Sequence, residues 1–349
     1  MKVLILISSL EGGGSERIAT RVASALAESH EVHIMPFSVA KHPYPISRKV
    51  RIDSAGLFDL REKSILSFRF AISVIYGYFY LSIIRLRFRP DVTLSFLKKV
   101  NLLNAFAFGG GKKIMSERNN PRRKGARHFR TACFAYRFAD KVIFQSETVK
   151  GMFPDSIQKK GVVLPNPVAV TCKAVGGSHK IVTSGRLKGQ KNHSLLIKAF
   201  ALFLKNHPGY SLHIFGKGPL EMELKLLSSE LSLDGSVFFE GYVEKIHEAI
   251  SDAEMFVLPS DYEGMPNALL EAMMMGLPCV TTSFEGAEEL LGDSGCCLRV
   301  PIGDKVALAD AMSRIADDPN LRSSLSQKGI MFSGRFTVDR VIPLWEKGL

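Results

Sequence analysis

The chain has 349 residues, of which 46% are apolar and 23% are charged, a composition that excludes disordered and collagen-like proteins. At roughly 100–200 residues per domain, this length predicts two or three domains. The 46 Lys and Arg exceed the 34 Asp and Glu by a net charge of +12, which favours an anionic partner such as nucleic acid, a phosphorylated metabolite or a membrane. The five cysteines form no Cys-x-x-Cys pair, so neither a disulfide framework nor a zinc site is indicated.

The positive charge lies in one half of the chain. Residues 1–170 contain 28 Lys and Arg against 12 Asp and Glu, a net charge of +16, whereas residues 171–349 contain 18 against 22, a net charge of −4. This asymmetry predicts two domains with different electrostatic roles.

The first half alternates short apolar runs with helical patterns. Residues 3–8 form a continuous apolar run, which we interpret as a buried parallel strand rather than a signal peptide. A glycine turn, a helical pattern and a second strand follow. The order strand, glycine turn, helix and strand is typical of a doubly wound sheet. The expected strands of this half are 3–8, 32–37, 91–96, 113–116 and 142–145.

The alternation restarts beyond Pro165-Asn166-Pro167 and a stretch that ends in Gly176-Gly177-Ser178, and residues 168–178 are expected to be a hinge. Helical patterns separate the apolar runs that follow. The expected strands are 181–184, 211–215, 237–239, 255–258, 279–282 and 297–300. We therefore predict an α/β fold with two Rossmann-like domains that face each other across a cleft, with ligands at the carboxyl ends of the strands.

Residues 70–84 form a nearly uninterrupted apolar and aromatic segment, flanked by arginines at positions 69, 85, 87 and 89. A helix of this length would span only about 22 Å, short of a hydrocarbon core of about 30 Å, so a membrane-spanning helix is not favoured. Two interpretations stay open: a buried helix that leads into the next strand, or an interfacial helix whose arginines contact lipid headgroups.

The strongest local signal is the segment 261–273, Asp-Tyr-Glu-Gly-Met-Pro-Asn-Ala-Leu-Leu-Glu-Ala-Met. Pro266 suits the first position of a helix and Gly276 its end, so a short helix is expected to point its N-terminus at a phosphate. Glu263 precedes this helix and Glu271 lies inside it. A carboxylate beside a phosphate suits two hydrogen bonds from vicinal sugar hydroxyls, and a nucleotide sugar presents two such diols.

A second motif follows the first strand of the second half, at residues 184–192, Ser-Gly-Arg-Leu-Lys-Gly-Gln-Lys-Asn. Arg186 and Lys191 place two cations at the end of that strand. Each charge-assisted hydrogen bond to a partly desolvated diphosphate contributes on the order of 1.5–3 kcal/mol. The alternative for either residue taken alone is a solvated surface position.

Together the two motifs resemble the signature of glycosyltransferase family 4, retaining enzymes of GT-B fold, and in particular its bacterial polysaccharide- and glycolipid-assembly members. The resemblance implies that Glu263 contacts the donor sugar and Glu271 the ribose. It also implies that Arg186 and Lys191 bind the donor diphosphate. The candidate catalytic residues are Glu263, Arg186 and Lys191. It extends to the glycine-rich loop 12–14 and to the loops that line the base and ribose pocket. The implied donor-binding residues are Gly14, Gly216, Val243, Gly264, Met265, Pro266, Asn267 and Glu271.

The acceptor side departs from the family pattern, because many relatives carry a histidine where this chain has Ser-Glu-Arg-Asn at residues 116–119. Arg118 cannot act as a base at neutral pH, so we expect it to bind an anion. A basic run follows, either as a solvated helix face or as a grip on a lipid diphosphate and anionic headgroups. The acceptor- and membrane-side candidates are Arg118, Arg122, Arg123, Lys124 and Arg127.

No metal or cofactor is expected. The chain has no Asp-x-Asp to bridge a diphosphate through a metal ion, and its nine histidines show no metal-ligand spacing. We expect His193 and His247 on helix surfaces. The resemblance implies a same-face displacement in which the leaving phosphate deprotonates the acceptor hydroxyl, so no side chain is named as nucleophile or base.

The resulting hypothesis is a retaining hexosyl- or N-acetylhexosaminyltransferase that moves a sugar from a nucleoside-diphosphate sugar, a UDP-sugar, to a polyprenyl-diphosphate-linked saccharide. It would act in cell-surface polysaccharide synthesis, in the cytoplasm, on the inner face of the cytoplasmic membrane and against its anionic surface. The expected domains are an acceptor-binding domain at 1–167, the hinge at 168–178, a nucleotide-sugar-binding domain at 179–335 and a helix at 336–349 that returns to the first domain.

Three alternatives remain at this stage. A GT-B sugar-nucleotide epimerase would share the fold, but the acidic and histidine residues on which it relies are not identifiable here. A non-catalytic basic membrane-associated protein would need no glutamates that bind diols. Nucleic acid is not favoured, because the aromatic residues of the basic half form one apolar run instead of alternating with its cations.

Overall fold

The structure is a computed structural model that describes residues 1–11, 13–38, 44–53, 68–118 and 125–349, with only the backbone described over 68–73. It divides into two compact units. The first consists of Met1–Pro167 and Val338–Leu349, and the second of Val168–Thr337. Each unit is built around one parallel β-sheet, so the predicted α/β class with two Rossmann-like domains is confirmed.

The described residues of the first unit form a seven-stranded sheet of order β3-β2-β1-β4-β5-β6-β7. Its strands are β1 (Lys2–Ile7), β2 (Glu31–Pro36), β3 (Arg51–Ile52), β4 (Val92–Phe96), β5 (Lys112–Ser116), β6 (Lys141–Phe144) and β7 (Gly161–Val163). The second unit has a six-stranded sheet of order β10-β9-β8-β11-β12-β13. Its strands are β8 (Lys180–Ser184), β9 (Ser211–Phe215), β10 (Val237–Gly241), β11 (Met255–Leu258), β12 (Cys279–Thr282) and β13 (Leu298–Val300).

Helices connect these strands and cover both faces of each sheet. Those that precede the second sheet are α1 (Gly14–Leu26), α2 (Phe68–Phe88), α3 (Lys98–Phe106), α4 (Ala126–Tyr136), α5 (Glu147–Gly151) and α6 (Asp155–Gln158). The helices that follow β8 in the chain are α7 (His193–Leu204), α8 (Glu221–Glu230), α9 (Ile246–Ala249), α10 (Asn267–Met275), α11 (Ala287–Leu291), α12 (Lys305–Asp317), α13 (Pro319–Ser333) and α14 (Val338–Gly348).

Successive side chains of the buried strands pack into the hydrophobic cores on opposite faces of the sheet, as the two-residue period of a strand requires. Ile5 of β1 packs with α1 and α14 on one face of the first sheet. Its neighbour Leu4 packs with α2 and α3 on the other face. Strand β8 behaves in the same way, because Ile181 packs with α7 and α12 while Val182 packs with α10. These two-sided cores explain why the inner strands are continuous apolar runs.

Strands β3 and β7 were not expected from the sequence. Both lie at edges of the first sheet and contain only two and three residues. Both residues of β3 are exposed, and the two valines of β7 are only half-buried against the cores, so neither strand is a run of fully buried apolar residues. Edge pairing that depends on backbone hydrogen bonds leaves no hydropathy pattern to detect.

Helix α2 contains the long apolar segment and has two different sides. One side packs on the first sheet, where Leu81 and Arg85 are fully buried. The guanidinium of Arg85 donates to the carbonyl oxygens of Gly109 and Gly110 at 3.0 and 2.8 Å, so this arginine is an internal anchor and not a headgroup contact. The other side carries exposed apolar residues. No helix in the described part of the chain is long and apolar enough to cross a membrane.

Two segments attach to the units by specific hydrogen bonds. The indole N–H of Trp345, on α14, donates to the carbonyl of Pro165 at 2.9 Å, and the fully buried ring stacks on Phe96 of β4. In the stretch expected to be a hinge, the amides of Ala174 and Val175 donate to carbonyl oxygens of the second unit at 2.8 and 2.7 Å. Residues 168–178 therefore pack as part of the second unit.

Candidate functional site

The two sequence motifs of the second unit meet at the carboxyl ends of β8 and β11, which are neighbours in the sheet. Their loops are joined by three hydrogen bonds. The amide of Asp261 donates to the carbonyl of Gln190 at 3.0 Å, and the Gln190 side chain donates to the carbonyl of Tyr262 at 2.8 Å. The Asn192 side-chain amide donates to the Asp261 carboxylate at 2.7 Å. These contacts hold the motif at residues 184–192, which contains Arg186 and Lys191, against the motif at residues 261–273, which contains the two glutamates.

Asn192 turns the chain from a short 3-10 helix at Gly189–Lys191 into α7. Its φ of +44° lies in the left-handed region, which asparagine tolerates better than most residues. Its side-chain oxygen accepts the amide of Leu195 at 3.3 Å and so caps the helix. The cap fixes the position of the preceding residue, Lys191, at the end of the loop.

Lys191 and Glu263 form the polar centre of this site. The Lys191 ammonium lies 2.7 Å from Oε1 of Glu263, and the hydroxyl of Ser260 donates to the same oxygen at 2.6 Å. The Glu263 side chain is only 8% exposed, while that of Lys191 is 20% exposed. A partly accessible cation beside a nearly buried carboxylate can bind an anionic group and a sugar hydroxyl side by side.

The loop that follows β9 lies directly against the loop that contains Arg186. Gly216 has a φ of +133°, and a Cβ there would stand 2.0 Å from the carbonyl oxygen of Gly185. The Gly216 amide donates to the carbonyl of Gly241 at 2.6 Å, which joins the end of β10 to the same edge. Arg186 is exposed beside this junction, and Val243 is half-buried just beyond β10.

Helix α10 begins one residue later than predicted. Pro266 is its N-cap, with a ψ of 85° outside the helical range, and no side chain caps the N-terminus. The helix ends as expected at Gly276, whose φ is +91°. Gly264 is half-buried on the loop before the helix, Met265 is buried in the core, and Asn267 is the first helical residue.

Glu271 lies inside α10 and is 4% exposed. Its Oε2 lies 3.5 Å from Nε2 of His247, on α9, which is also buried. The sequence placed His247 and His193 on helix surfaces, and both placements are wrong, because the two side chains are 5% and 3% exposed. Burial lowers the pKa of His193 to about 4, with the charge of Lys191 acting in the same direction. Helical spacing alone could not reveal this burial, since α9 is a single turn.

The predicted residues of the first unit lie in different settings. Gly14 is exposed at the start of α1. Arg118 follows β5 and is inside the unit instead of on its surface, with only 7% of the residue exposed. Its guanidinium donates to the side-chain oxygen of Asn166 and lies 5.7 and 5.8 Å from the ring centres of Phe96 and Trp345. Burial lowers the pKa of Arg118 to about 9, and the charge of Glu117 opposes that shift.

A polar network around Glu117 was missed by the sequence analysis. The carboxylate accepts the amide of Arg118 at 3.0 Å and the hydroxyl of Tyr136 at 2.8 Å. Asn101 donates to the Tyr136 oxygen at 3.3 Å. Burial and the Glu117 charge raise the pKa of Tyr136. The only sequence signal was an acidic residue directly after a buried strand, which by itself is too common to be informative.

The basic run after Arg118 is described only in part. Arg127 is exposed in the first turn of α4. Arg122, Arg123 and Lys124 lie outside the described residues. In the described ranges, no three His, Cys, Asp or Glu side chains group together in a way that could hold a metal ion.

Comparison with known proteins connects this arrangement with sugar transfer. Residues 173–331 match the family of glycosyl transferases, group 1. A Campylobacter jejuni protein named GalNAc-alpha-(1->4)-GalNAc-alpha-(1->3)-diNAcBac-PP-undecaprenol alpha-1,4-N-acetyl-D-galactosaminyltransferase is 28% identical, and the alignment covers 99% of this chain and 98% of that protein.

Solved structures share the two-unit fold. HepE from Anabaena, in complex with UDP and glucose, superposes with a TM-score of 0.81 at 17% identity, covering 99% of this chain and 98% of that one. Sucrose-phosphate synthase from Thermosynechococcus elongatus also gives a TM-score of 0.81, at 16% identity, with 99% and 97% covered. At these identities the likeness establishes the fold.

The fold and the family match identify the class of protein as a GT-B glycosyltransferase. The match to the glycosyl transferases, group 1, spans residues 173–331, which lie within the second unit.

Proposed function

We propose that the chain is a retaining glycosyltransferase of family 4 that transfers a hexosyl or N-acetylhexosaminyl group from a UDP-sugar to a polyprenyl-diphosphate-linked saccharide. The observation that carries this proposal is the contact between Lys191 and Glu263 at the carboxyl ends of neighbouring strands. It supplies one group for the donor diphosphate and one for the hydroxyls of the transferred sugar.

The remaining donor contacts follow from the same strand edge. Arg186 is exposed on the loop after β8, the same loop that leads to Lys191, and would add a second cation for the diphosphate. Helix α10 presents an uncapped N-terminus, whose N–H groups favour a phosphate. Glu271 lies behind this N-terminus and would accept the ribose hydroxyls. HepE supports the donor class because it was crystallised with UDP, and the Campylobacter relative supports the acceptor class because its name specifies a PP-undecaprenol substrate.

In the proposed reaction, the two cations stabilise the negative charge that grows on the leaving nucleoside diphosphate. The acceptor hydroxyl attacks the sugar from the face that the phosphate leaves, and the leaving phosphate takes its proton. Glu263 orients the donor sugar through its hydroxyls. No step requires a side-chain nucleophile or a metal ion.

A transfer assay tests this function. Purified protein is incubated with a lipid-linked acceptor and a panel of labelled nucleotide sugars, and the label should move to the lipid fraction from one of them. Glu271→Ala should weaken donor binding by about 10- to 100-fold, the loss of charge-assisted hydrogen bonds. The function is wrong if no donor is bound or consumed and Glu271→Ala changes nothing. Conversion of the nucleotide sugar without an acceptor would instead identify an epimerase.

We also propose that the first unit binds the anionic inner face of the cytoplasmic membrane. Four exposed apolar residues on α2 repeat at helical spacing and form an apolar stripe: Ile75, Phe79, Ile83 and Leu86, with 58%, 59%, 45% and 61% of their surfaces exposed. Arg87 and Arg89 are exposed at the end of the same helix. An apolar stripe beside cations is the pattern of interfacial helices, to which each cation adds about 1 kcal/mol near an anionic surface.

Flotation with liposomes tests the membrane proposal. The wild-type protein should float with anionic vesicles. The double variant Ile75→Ser with Phe79→Ser should reduce the floating fraction. A second variant should also reduce it, in which four basic residues are neutralised: Arg122, Arg123, Lys124 and Arg127. Met222→Ser with Leu226→Ser is a matched control, because these residues are equally spaced and exposed on α8 of the second unit. Unchanged flotation of the α2 variant, or an equal loss in the control, would contradict the proposal.

A further inference from the structure

A buried histidine stands behind Glu271. His247 lies on α9, in a different part of the chain from α10, and is 5% exposed. Its Nε2 has no hydrogen-bond partner in the described part of the chain. The polar atom that faces it is Oε2 of Glu271, 3.5 Å away. A buried donor without an acceptor costs free energy, so this orientation needs an explanation.

Thr171 determines which ring nitrogen carries the proton. The backbone N–H of Thr171 points at Nδ1 of His247 with a distance of 3.2 Å, and the Thr171 hydroxyl lies 3.3 Å from the same atom. Because a backbone N–H can only donate, Nδ1 must be the acceptor. The proton of the neutral ring is therefore on Nε2, the nitrogen that faces Glu271.

We propose that His247 is a positioning residue, which directs its Nε2–H at Oε2 of Glu271 and holds the carboxylate in the orientation that accepts the ribose diol of the donor. This inference rests on the proposed role of Glu271 as the ribose-binding group. The contact of 3.5 Å is longer than a good hydrogen bond. Contacts of this kind are often long before a substrate binds.

The physical advantage is preorganisation. A carboxylate on a flexible side chain loses rotamer freedom when it accepts two hydroxyl hydrogen bonds, and a fixed neighbour removes part of that cost before binding. A neutral N–H donor orients the carboxylate and leaves its negative charge for the hydroxyl donors. Thr171 lies only three residues beyond Val168, where the second unit begins, so the backbone at that boundary sets the tautomer that faces Glu271.

Binding of UDP and of 2′,3′-dideoxy-UDP, measured by calorimetry, tests the inference. The ratio of the two dissociation constants isolates the ribose hydroxyls from the base and the diphosphate. We expect the wild-type protein to prefer UDP by tenfold or more, as hydroxyls bound to a charged acceptor imply. Glu271→Gln should lower this ratio toward one. His247→Ala should lower it at least threefold while leaving the affinity for dideoxy-UDP unchanged.

Two conservative variants separate positioning from folding. His247→Gln places a side-chain N–H near the position of Nε2 and should restore most of the preference for UDP. His247→Asn keeps an acceptor for the Thr171 amide but is too short to reach Glu271, so it should stay folded and lose the preference. His207→Ala is the matched control, because this histidine of the second unit bonds to Asp317 and not to Glu271.

The outcomes distinguish the two levels of the argument. If Glu271→Gln lowers the ratio and the folded variants His247→Asn and His247→Ala do not, the inference about His247 is wrong and the ribose role of Glu271 stands. If Glu271→Gln leaves the ratio unchanged, the ribose role fails and the inference fails with it. An equal loss in His207→Ala would also overturn it.

Discussion

Each unit carries a cation and a glutamate just beyond the carboxyl end of a parallel strand, and the two clusters differ in access. In the second unit, Lys191 and Glu263 lie 2.7 Å apart, and the lysine side chain keeps 20% of its surface exposed. In the first, Arg118 is enclosed by two aromatic rings and Asn166, beside Glu117.

We expect the two clusters to serve different purposes, although each combines a basic residue with a glutamate beyond the end of a parallel strand. The Arg118 cluster is satisfied from inside the unit, so removing the cation should damage the fold. The Lys191 cluster lies on a loop where the lysine side chain is partly exposed, so removing the cation should damage binding. Substitutions in and around the two clusters test this contrast.

Gly216→Ala should have the largest effect. Its Cβ would collide with the Gly185 carbonyl at 2.0 Å, and its φ of +133° is unfavourable for alanine, so the loops after β8 and β9 must separate. We expect a loss of roughly 4 kcal/mol or more in the free energy of unfolding, measured by urea denaturation. Gly235→Ala is the control, because it also has a positive φ of +84° but no atom within 4 Å of the added Cβ. Equal losses in both variants would contradict the close approach of the loops.

Arg118→Met should lower the free energy of unfolding by about 3 kcal/mol. The methionine keeps apolar contact with Phe96 and Trp345, but it leaves the Asn166 side-chain oxygen without the guanidinium and Glu117 without a nearby positive charge. Urea denaturation measures the loss. A change below about 1 kcal/mol would mean that Arg118 is not a structural cation.

Stability should also depend on the protonation of His193. Its pKa in the folded protein is about 4, against an ordinary value of 6.5, because burial disfavours the charged ring. The stabilisation that comes from keeping His193 neutral is therefore fully present above pH 6.5. It is lost as the pH falls from 6.5 toward 4, because the unfolded chain binds a proton there and the folded protein does not. Relative to His193→Gln, the wild-type protein should lose about 1.4 kcal/mol of unfolding free energy per pH unit in that window. Parallel pH curves for the two proteins would contradict the burial of this ring.

Lys191→Met should have the smallest effect on stability, below about 1 kcal/mol in the free energy of unfolding. The ammonium is partly solvated, and Ser260 still donates to Glu263 when the lysine is gone. Thermal denaturation compared with Arg118→Met measures the difference. A loss as large as that of Arg118→Met would erase the contrast between the clusters.

The sequence predicted the parts of the fold that rest on continuous local signals. The apolar runs of β1, β8 and β11 and the glycine that ends α10 are such signals, because burial on both faces and a left-handed backbone each require particular residue types. Strand β3 was missed because its two residues are exposed and pair only through the backbone.

The site was predictable where its residues follow recognisable strands, and it was missed where burial determines the role of a residue. Glu263 and Lys191 could be placed together because their strands were recognised and parallel strands end at one edge. Arg118 was expected to bind an anion, yet it is buried, and its guanidinium lies 5.8 Å from the ring centre of Trp345, more than two hundred residues later in the sequence. His247 was missed for the same reason, since it contacts two segments that are distant in sequence, at Thr171 and at Glu271.

The central claim is that the Lys191 cluster binds the diphosphate of a nucleotide donor and the Arg118 cluster does not. The most direct measurement is the affinity of UDP relative to UMP, determined by calorimetry for the wild-type protein, Lys191→Met and Arg118→Met at a temperature where all are folded. We expect Lys191→Met to reduce the preference for UDP by about tenfold or more, and Arg118→Met to leave it unchanged. An undiminished preference in Lys191→Met, or an equal reduction in Arg118→Met, would contradict the account.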